Sequence, residues 1–273
     1  MLLGALGVLD HGSSSSLQPS TRHSRRKAAA IVSFSTRIDD FRPAWNITKA
    51  FANRWGYSAE LHTTPTLNAS LFGGSPWTTA WEKVAIVAAA LEDGRHAVAW
   101  IDDDAFVNKG ELSVEHWLAT APDADLLIGR NAERNASANP GPQALNMTLN
   151  TGVFIVRASP WSRRFFSTFI QQCTQAERVQ VACCPEQDCL ARLLSAPENR
   201  QKLAAVALDS FNCHPSHPNF DSICDPWIYH AMGSGEKQHL VPAAKLRLAH
   251  GGALTSNDIY GIAGLAVPDV APT

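Results

Sequence analysis

Short apolar segments alternate with helical segments through the first half of the chain, and this alternation constrains the fold more than any other feature. Apolar runs bounded by turn residues predict strands over 28–35, 57–63, 96–101 and 125–129. Apolar residues at helical spacing, or a capping residue before them, predict helices over 43–55, 76–91 and 113–120. This order predicts an α/β fold with a mainly parallel central sheet and helices on both faces.

The second half is less regular. It predicts strands over 151–157 and 204–208 and helices over 161–173 and 186–194. A polar segment with Gly and Pro, 130–148, is predicted to be a loop, and 209–250 is predicted to be irregular. We expect one folded domain over 28–260, followed by a tail over 261–273.

Residues 1–27 lie outside this pattern. An apolar run over 1–9 is shorter than the ~20 residues that span a bilayer, and no basic segment precedes it as in a signal peptide. A Ser-rich and then basic segment follows it, which is typical of a flexible stem. We expect a stem that retains the remnant of a truncated membrane anchor; a cytosolic chain is the alternative.

Charge and glycosylation motifs limit the partners and the compartment. The formal net charge of −2 argues against nucleic acid as the main partner. Four N-x-[ST] motifs begin at Asn46, Asn68, Asn135 and Asn146. Together with the cysteines, they favour the endoplasmic reticulum, the Golgi or the cell exterior.

Six cysteines lie in the second half of the chain. An even, clustered set is compatible with disulfides, although the pairing cannot be assigned from the sequence. A zinc site is the alternative, and its candidate ligands are Cys183, Cys184, Cys189, His214 and His217. Disulfides are favoured because no second Cys-x-x-Cys pair is present.

Three aspartates, Asp102, Asp103 and Asp104, follow the predicted strand 96–101 directly. Adjacent carboxylates repel one another and need a cation if they are buried. Alternate residues of an extended segment face the same side, so Asp102 and Asp104 are expected to converge while Asp103 points away. Two such carboxylates can hold Mg²⁺ or Mn²⁺, which in turn binds a diphosphate. A solvated acidic turn is the alternative.

Several motifs occur in an order that resembles glycosyltransferase family 34, the fungal α-galactosyltransferases and plant xyloglucan xylosyltransferases. The resemblance covers roughly residues 28–252. Its motifs are Trp81-Glu82-Lys83-Val84, the Trp100–Ala105 acid segment, Leu149–Arg157, Pro160-Trp161-Ser162, Glu186-Gln187-Asp188 and His250-Gly251-Gly252.

The resemblance implies a GT-A (Rossmann-like) nucleotide-diphospho-sugar transferase fold, a UDP-sugar donor, Mn²⁺ (or Mg²⁺) and retention of anomeric configuration. Asp102, Asp104 and His250 match the metal ligands. The implied donor-binding residues are Asp102, Asp103, Asp104, Asn150, Thr151, Gly152, Gly251 and Gly252. The implied catalytic residues, beside the reacting anomeric carbon, are Glu186, Gln187 and Asp188.

Two features depart from the family pattern, the absence of a late lysine and the missing membrane anchor. Family members carry a lysine shortly after the late histidine, and 251–257 has no basic residue. Lys83 is expected to be a solvated helical lysine, although it could reach a phosphate.

The implied activity is a retaining transfer of galactose or xylose to a glycan or glycoprotein, by a type II protein of the Golgi or endoplasmic reticulum. A metal-dependent phosphoesterase and a non-catalytic binding protein on the same fold are the alternatives.

Overall fold

A computed structural model describes residues 28–75, 78–130, 149–179, 185–213, 225–231 and 237–250, with the backbone alone at 209, 237–239 and 250. The predicted stem, the C-terminal tail, Gly251 and Gly252 lie outside these residues, as does most of the predicted loop 130–148. No helix in the described part of the chain is long and apolar enough to cross a bilayer.

The main sheet of the described residues has six strands. In spatial order they are β2 (Ser58–His62), β1 (Ala30–Phe34), β3 (Ala97–Ile101), β6 (Leu149–Arg157), β5 (Leu126–Arg130) and β7 (Leu203–Ala207). Strand β1 pairs in parallel with β2 and β3, and β5 pairs in parallel with β7. Strand β6 is antiparallel to both of its neighbours. The predicted α/β class with a mainly parallel sheet is confirmed.

The antiparallel direction of β6 matters for the site. Because β6 runs against β3, its first residues lie beside the carboxyl end of β3. The backbone N–H of Asp102 donates to the carbonyl of Gly152 at 2.8 Å. Residues 150–152 therefore lie at the same edge of the sheet as the three aspartates.

Helices cover both faces of the sheet. They are α1 (Ile38–Trp55), α2 (Glu82–Glu92), α3 (Val114–Thr120), α4 (Pro160–Gln172), α5 (Gln175–Val179), α6 (Pro185–Leu194), α7 (Pro197–Arg200), α8 (Leu208–Phe211) and α9 (Lys237–His250). Alternate residues of β3 point to opposite sides. Val98 and Trp100 pack into the core with α2, α4 and α6, whereas Ala99 and Ile101 pack into the core with α1 and α3.

A small second sheet forms where the sequence predicted irregular structure. Strand β4 (Ala105–Val107) pairs antiparallel with β9 (Ile228–His230), which pairs in parallel with β8 (Asn212–Cys213). With α8 and α9, these strands occupy much of 209–250, so the irregular prediction for this segment is wrong. Strands of two or three residues are too short to produce a detectable periodicity.

Two helix predictions also need correction. The helix predicted over 43–55 begins earlier, at Ile38, so Asp39 and Asp40, which the sequence offered as capping residues, lie within its first turn. The helix predicted over 76–91 is divided, because a 3-10 turn over Thr78–Trp81 precedes α2. Elsewhere the predicted helix and strand boundaries fall within about two residues of the observed ones.

Candidate active site

A turn after β3 brings two of the three aspartates together. One ligand atom each of Asp102, Asp104 and His230 lies within 4.8 Å of the others, in a geometry that could hold a metal ion. The backbone N–H of Ala105 donates to the carbonyl of Asp102 at 3.2 Å, which closes the turn. The two carboxylates therefore converge through a turn, and the extended geometry that the sequence predicted for them is wrong.

His230 reaches the acids through the small sheet. It pairs with Ala105 across β4 and β9, and its Nε2 lies 3.4 Å from Oδ1 of Asp104. Its ring packs against Gly152, where an added Cβ would lie 2.6 Å from Nε2. A glycine at 152 is thus required by the close approach of the imidazole ring.

The sequence identified a different histidine. His250 ends α9, and its side chain is outside the described atoms. Its role as a metal ligand therefore stays a prediction, whereas His230 was missed. The sequence signal that could have identified His230 is its position directly after the short apolar run 227–229.

A buried lysine joins the aspartates to α6. The Lys83 side chain, 8% exposed, places Nζ 3.3 Å from Oδ1 of Asp102 and 3.1 Å from Oε1 of Glu186. It also donates to the carbonyl of Thr151 at 3.2 Å. Burial lowers the pKa of the Lys83 ammonium, but the charges of Asp102 and Glu186 outweigh it and raise the pKa above its ordinary value. The expectation of a solvated Lys83 is wrong, because α2 presents this side chain to the sheet edge.

The predicted catalytic segment opens α6. The Thr151 hydroxyl lies 3.1 Å from Oε1 of Glu186 and 3.3 Å from Oε1 of Gln187. The backbone N–H of Thr151 also donates to Gln187 at 3.1 Å. Oε2 of Glu186 is buried and has no hydrogen-bond partner among the described residues. Asp188 follows in the same helical turn and is partly exposed.

Asn150 and a second asparagine link β6 to the histidine. Oδ1 of Asn150 accepts from the Gly152 backbone N–H at 3.0 Å and from Nδ2 of Asn212 at 2.9 Å. The same Nδ2 lies 3.4 Å from Nδ1 of His230. Asn212, which the sequence did not single out, therefore orients the imidazole and the start of β6 together.

Asp102 and Asp103 each accept a further hydrogen bond from a residue outside the acid turn. The Trp100 indole N–H donates to Oδ1 of Asp102 at 2.6 Å. The Ser35 hydroxyl, just after β1, donates to Oδ2 of Asp103 at 2.7 Å. A cleft between the start of α1 and the acid turn is lined by Phe41 and Trp45, together with both of these aspartates.

Cysteines in the described part of the chain take part in two disulfides. Cys173, at the end of α4, is bonded to Cys189 in α6. This bond excludes Cys189 from the alternative zinc site and confirms the preference for a disulfide there. Cys213 is also disulfide-bonded. The other candidate zinc ligands lie outside the described residues.

The match to a known family decides the class of protein. Residues 32–237 match the model of the galactosyl transferase GMA12/MNN10 family. The chain belongs to this family. It is a glycosyltransferase, as the resemblance implied, with the GT-A fold. The match includes His230 and ends before His250, Gly251 and Gly252.

One of the similar solved structures supports this fold, namely the first of the two that follow. A glycosyltransferase involved in glycosylating the major capsid of PBCV-1 is 14% identical, with 79% of this chain and 99% of that one covered and a TM-score of 0.59. Mouse xyloside xylosyltransferase 1, in its apo form, is 12% identical, with 68% and 87% covered and a TM-score of 0.40. No curated protein sequence matches the chain significantly.

Proposed function

We propose that this glycosyltransferase moves galactose or xylose from a UDP-sugar to a glycan or glycoprotein acceptor, with Mn²⁺ (or Mg²⁺) and with retention of configuration. The observation that carries the proposal is the convergence of Asp102, Asp104 and His230. Two carboxylate oxygens and an imidazole nitrogen are a donor set that suits Mn²⁺. We propose His230 as the third ligand in place of His250.

The charges of the cluster support a divalent cation. Asp102, Asp104 and Glu186 carry three negative charges, and Lys83 carries one positive charge, which leaves an excess of two negative charges. Mutually close carboxylates are costly without a counter-charge. A bound divalent ion supplies Lewis-acid stabilisation of the diphosphate leaving group.

The protein side chains have separate roles in this proposal. The partly exposed Trp45 lies beside Asp102 and Asp103 in the cleft and offers the nucleotide an aromatic side chain. Glu186 stabilises the positive charge that develops on the sugar as its bond to the diphosphate breaks. Gln187, held by Thr151, orients the sugar.

The test is a donor panel. UDP-galactose, UDP-xylose and UDP-glucose are each incubated with the protein, with and without Mn²⁺ and with and without a glycan acceptor, and released UDP is measured. Release that needs both the metal and the acceptor supports the proposal, and NMR of the product linkage reports retention. Binding of UDP without any release would favour the non-catalytic alternative. Phosphate or UMP as the product would favour a phosphoesterase.

We also propose that the protein works in the lumen of the Golgi or the endoplasmic reticulum. The Cys173–Cys189 disulfide supports an oxidising compartment. Asn68, an exposed residue in an N-x-[ST] motif, offers a glycosylation site for the test. Protein isolated from its native cells is expected to lose mass on endoglycosidase treatment; an unglycosylated protein with reduced cysteines would contradict this localisation.

A further inference from the structure

We infer that Lys83 is a positioning residue that fixes Glu186 for the sugar and ties it to the metal-binding carboxylate of Asp102. This inference rests on the proposed function. Its basis is that one ammonium group contacts three elements, namely the turn after β3, the start of β6 and the first turn of α6.

The ammonium group has no donor left for a substrate. A lysine has three N–H donors. The contacts of Nζ supply three acceptors, namely oxygens of Asp102, Glu186 and Thr151, at 3.1–3.3 Å. Lys83 therefore acts through its neighbours and does not itself hold the diphosphate.

The two carboxylates depend on Lys83 to different degrees. Asp102 is short, its backbone is bonded to Gly152, and Oδ1 also accepts the Trp100 indole N–H at 2.6 Å. Asp102 therefore keeps most of its anchoring without Lys83.

Glu186 has weaker support. Its other hydrogen bond comes from the Thr151 hydroxyl, whose single proton is shared between Glu186 at 3.1 Å and Gln187 at 3.3 Å. Loss of Lys83 would leave this buried carboxylate without its cation, which would no longer hold it in place. The effect is therefore expected on the transfer step more than on metal and nucleotide binding.

The test compares Lys83→Met, Glu186→Gln and the double variant, with Lys202→Met as the matched control. Lys202 is also ion-paired, 3.4 Å from Asp125, but at the opposite end of the sheet. The readouts are kcat for UDP release, the Kd of UDP in the presence of Mn²⁺ by calorimetry, and the melting temperature.

Lys83→Met is expected to lower kcat by about 10- to 100-fold, the range for residues that orient functional groups, while the Kd changes by less than about threefold. Because Lys83 acts through Glu186, the double variant should have a kcat within about threefold of Glu186→Gln alone. Lys202→Met should behave as wild type in both readouts.

Two results would overturn the inference: an unchanged kcat in Lys83→Met, or effects of the two substitutions that multiply. If Lys83→Met does not fold, the double variant removes both charges, and its comparison with Glu186→Gln still decides the matter. Failure of the proposed function looks different, because the wild-type protein itself would then release no UDP from any donor in the presence of Mn²⁺ and acceptor.

Discussion

The close approach of His230 to Gly152 predicts the effect of one added methyl group. In Gly152→Ala the new Cβ would lie 2.6 Å from Nε2 of His230. Carbon and nitrogen atoms in ordinary contact are about 3.5 Å apart. The new Cβ would lie closer still to Cε1 of the ring, so the ring must move by at least about 1 Å, or β6 must move away from it.

Either movement disturbs the proposed metal site. A site loses function when its groups move by more than about 0.5 Å, and a displacement of about 1 Å costs roughly 100-fold. We therefore expect UDP affinity in the presence of Mn²⁺ to fall by about that factor. Overpacking of this kind also costs about 1–3 kcal/mol of folding free energy.

Calorimetry with UDP and Mn²⁺, together with thermal melting, measures both effects. Gly110→Ala is the matched control, because the nearest atom to its added Cβ is 3.9 Å away. In a His230→Ala background the extra methyl group should fit, so Gly152→Ala should cost no further stability there. If Gly152→Ala binds UDP and Mn²⁺ as wild type does, the proposed role of His230 is wrong.

Three further substitutions have defined outcomes. Trp100→Phe removes the indole bond to Asp102 and should weaken Mn²⁺ binding about tenfold in a metal titration, with little change in kcat at saturating metal. Cys189→Ser opens a disulfide that spans 16 residues and should cost about 3 kcal/mol, seen as a loss of roughly 6–12 °C in melting temperature. Partial burial would raise the pKa of Glu177, but the Arg192 guanidinium lowers it below its ordinary value. The stability that the Glu177–Arg192 ion pair contributes is present above the unfolded pKa of about 4.3 and is lost as the pH falls below it. Glu177→Gln should therefore destabilise the protein to urea at pH 7, with a difference from wild type that vanishes in acid; a difference that persists in acid would contradict this.

The sequence predicted the sheet and the place of the acid cluster because their signals are local. Strand β3 is a fully apolar run, and the aspartates that follow it cannot continue a buried strand. The direction of β6 could not be predicted in the same way. Its apolar pattern is the same for either direction, and only its pairing with β3 and β5 fixes it.

The parts of the site that the sequence missed depend on long-range packing. His230 reaches the acids only because the three-residue strands β4 and β9 pair across more than a hundred residues of sequence. Lys83 was expected to be solvated because lysine side chains are mostly exposed. Its burial becomes evident only when Asp102 and Glu186 are both in place.

The most direct test of the metal site is the binding of UDP to Asp104→Asn, measured by calorimetry with and without Mn²⁺. Asp123→Asn, an exposed position at the opposite end of the sheet, is the control. We expect the wild type and the control to bind UDP much more tightly with Mn²⁺, whereas Asp104→Asn, although folded, should gain no affinity from the metal. A folded Asp104→Asn variant with wild-type, Mn²⁺-dependent affinity would contradict the assignment of the acids at this turn.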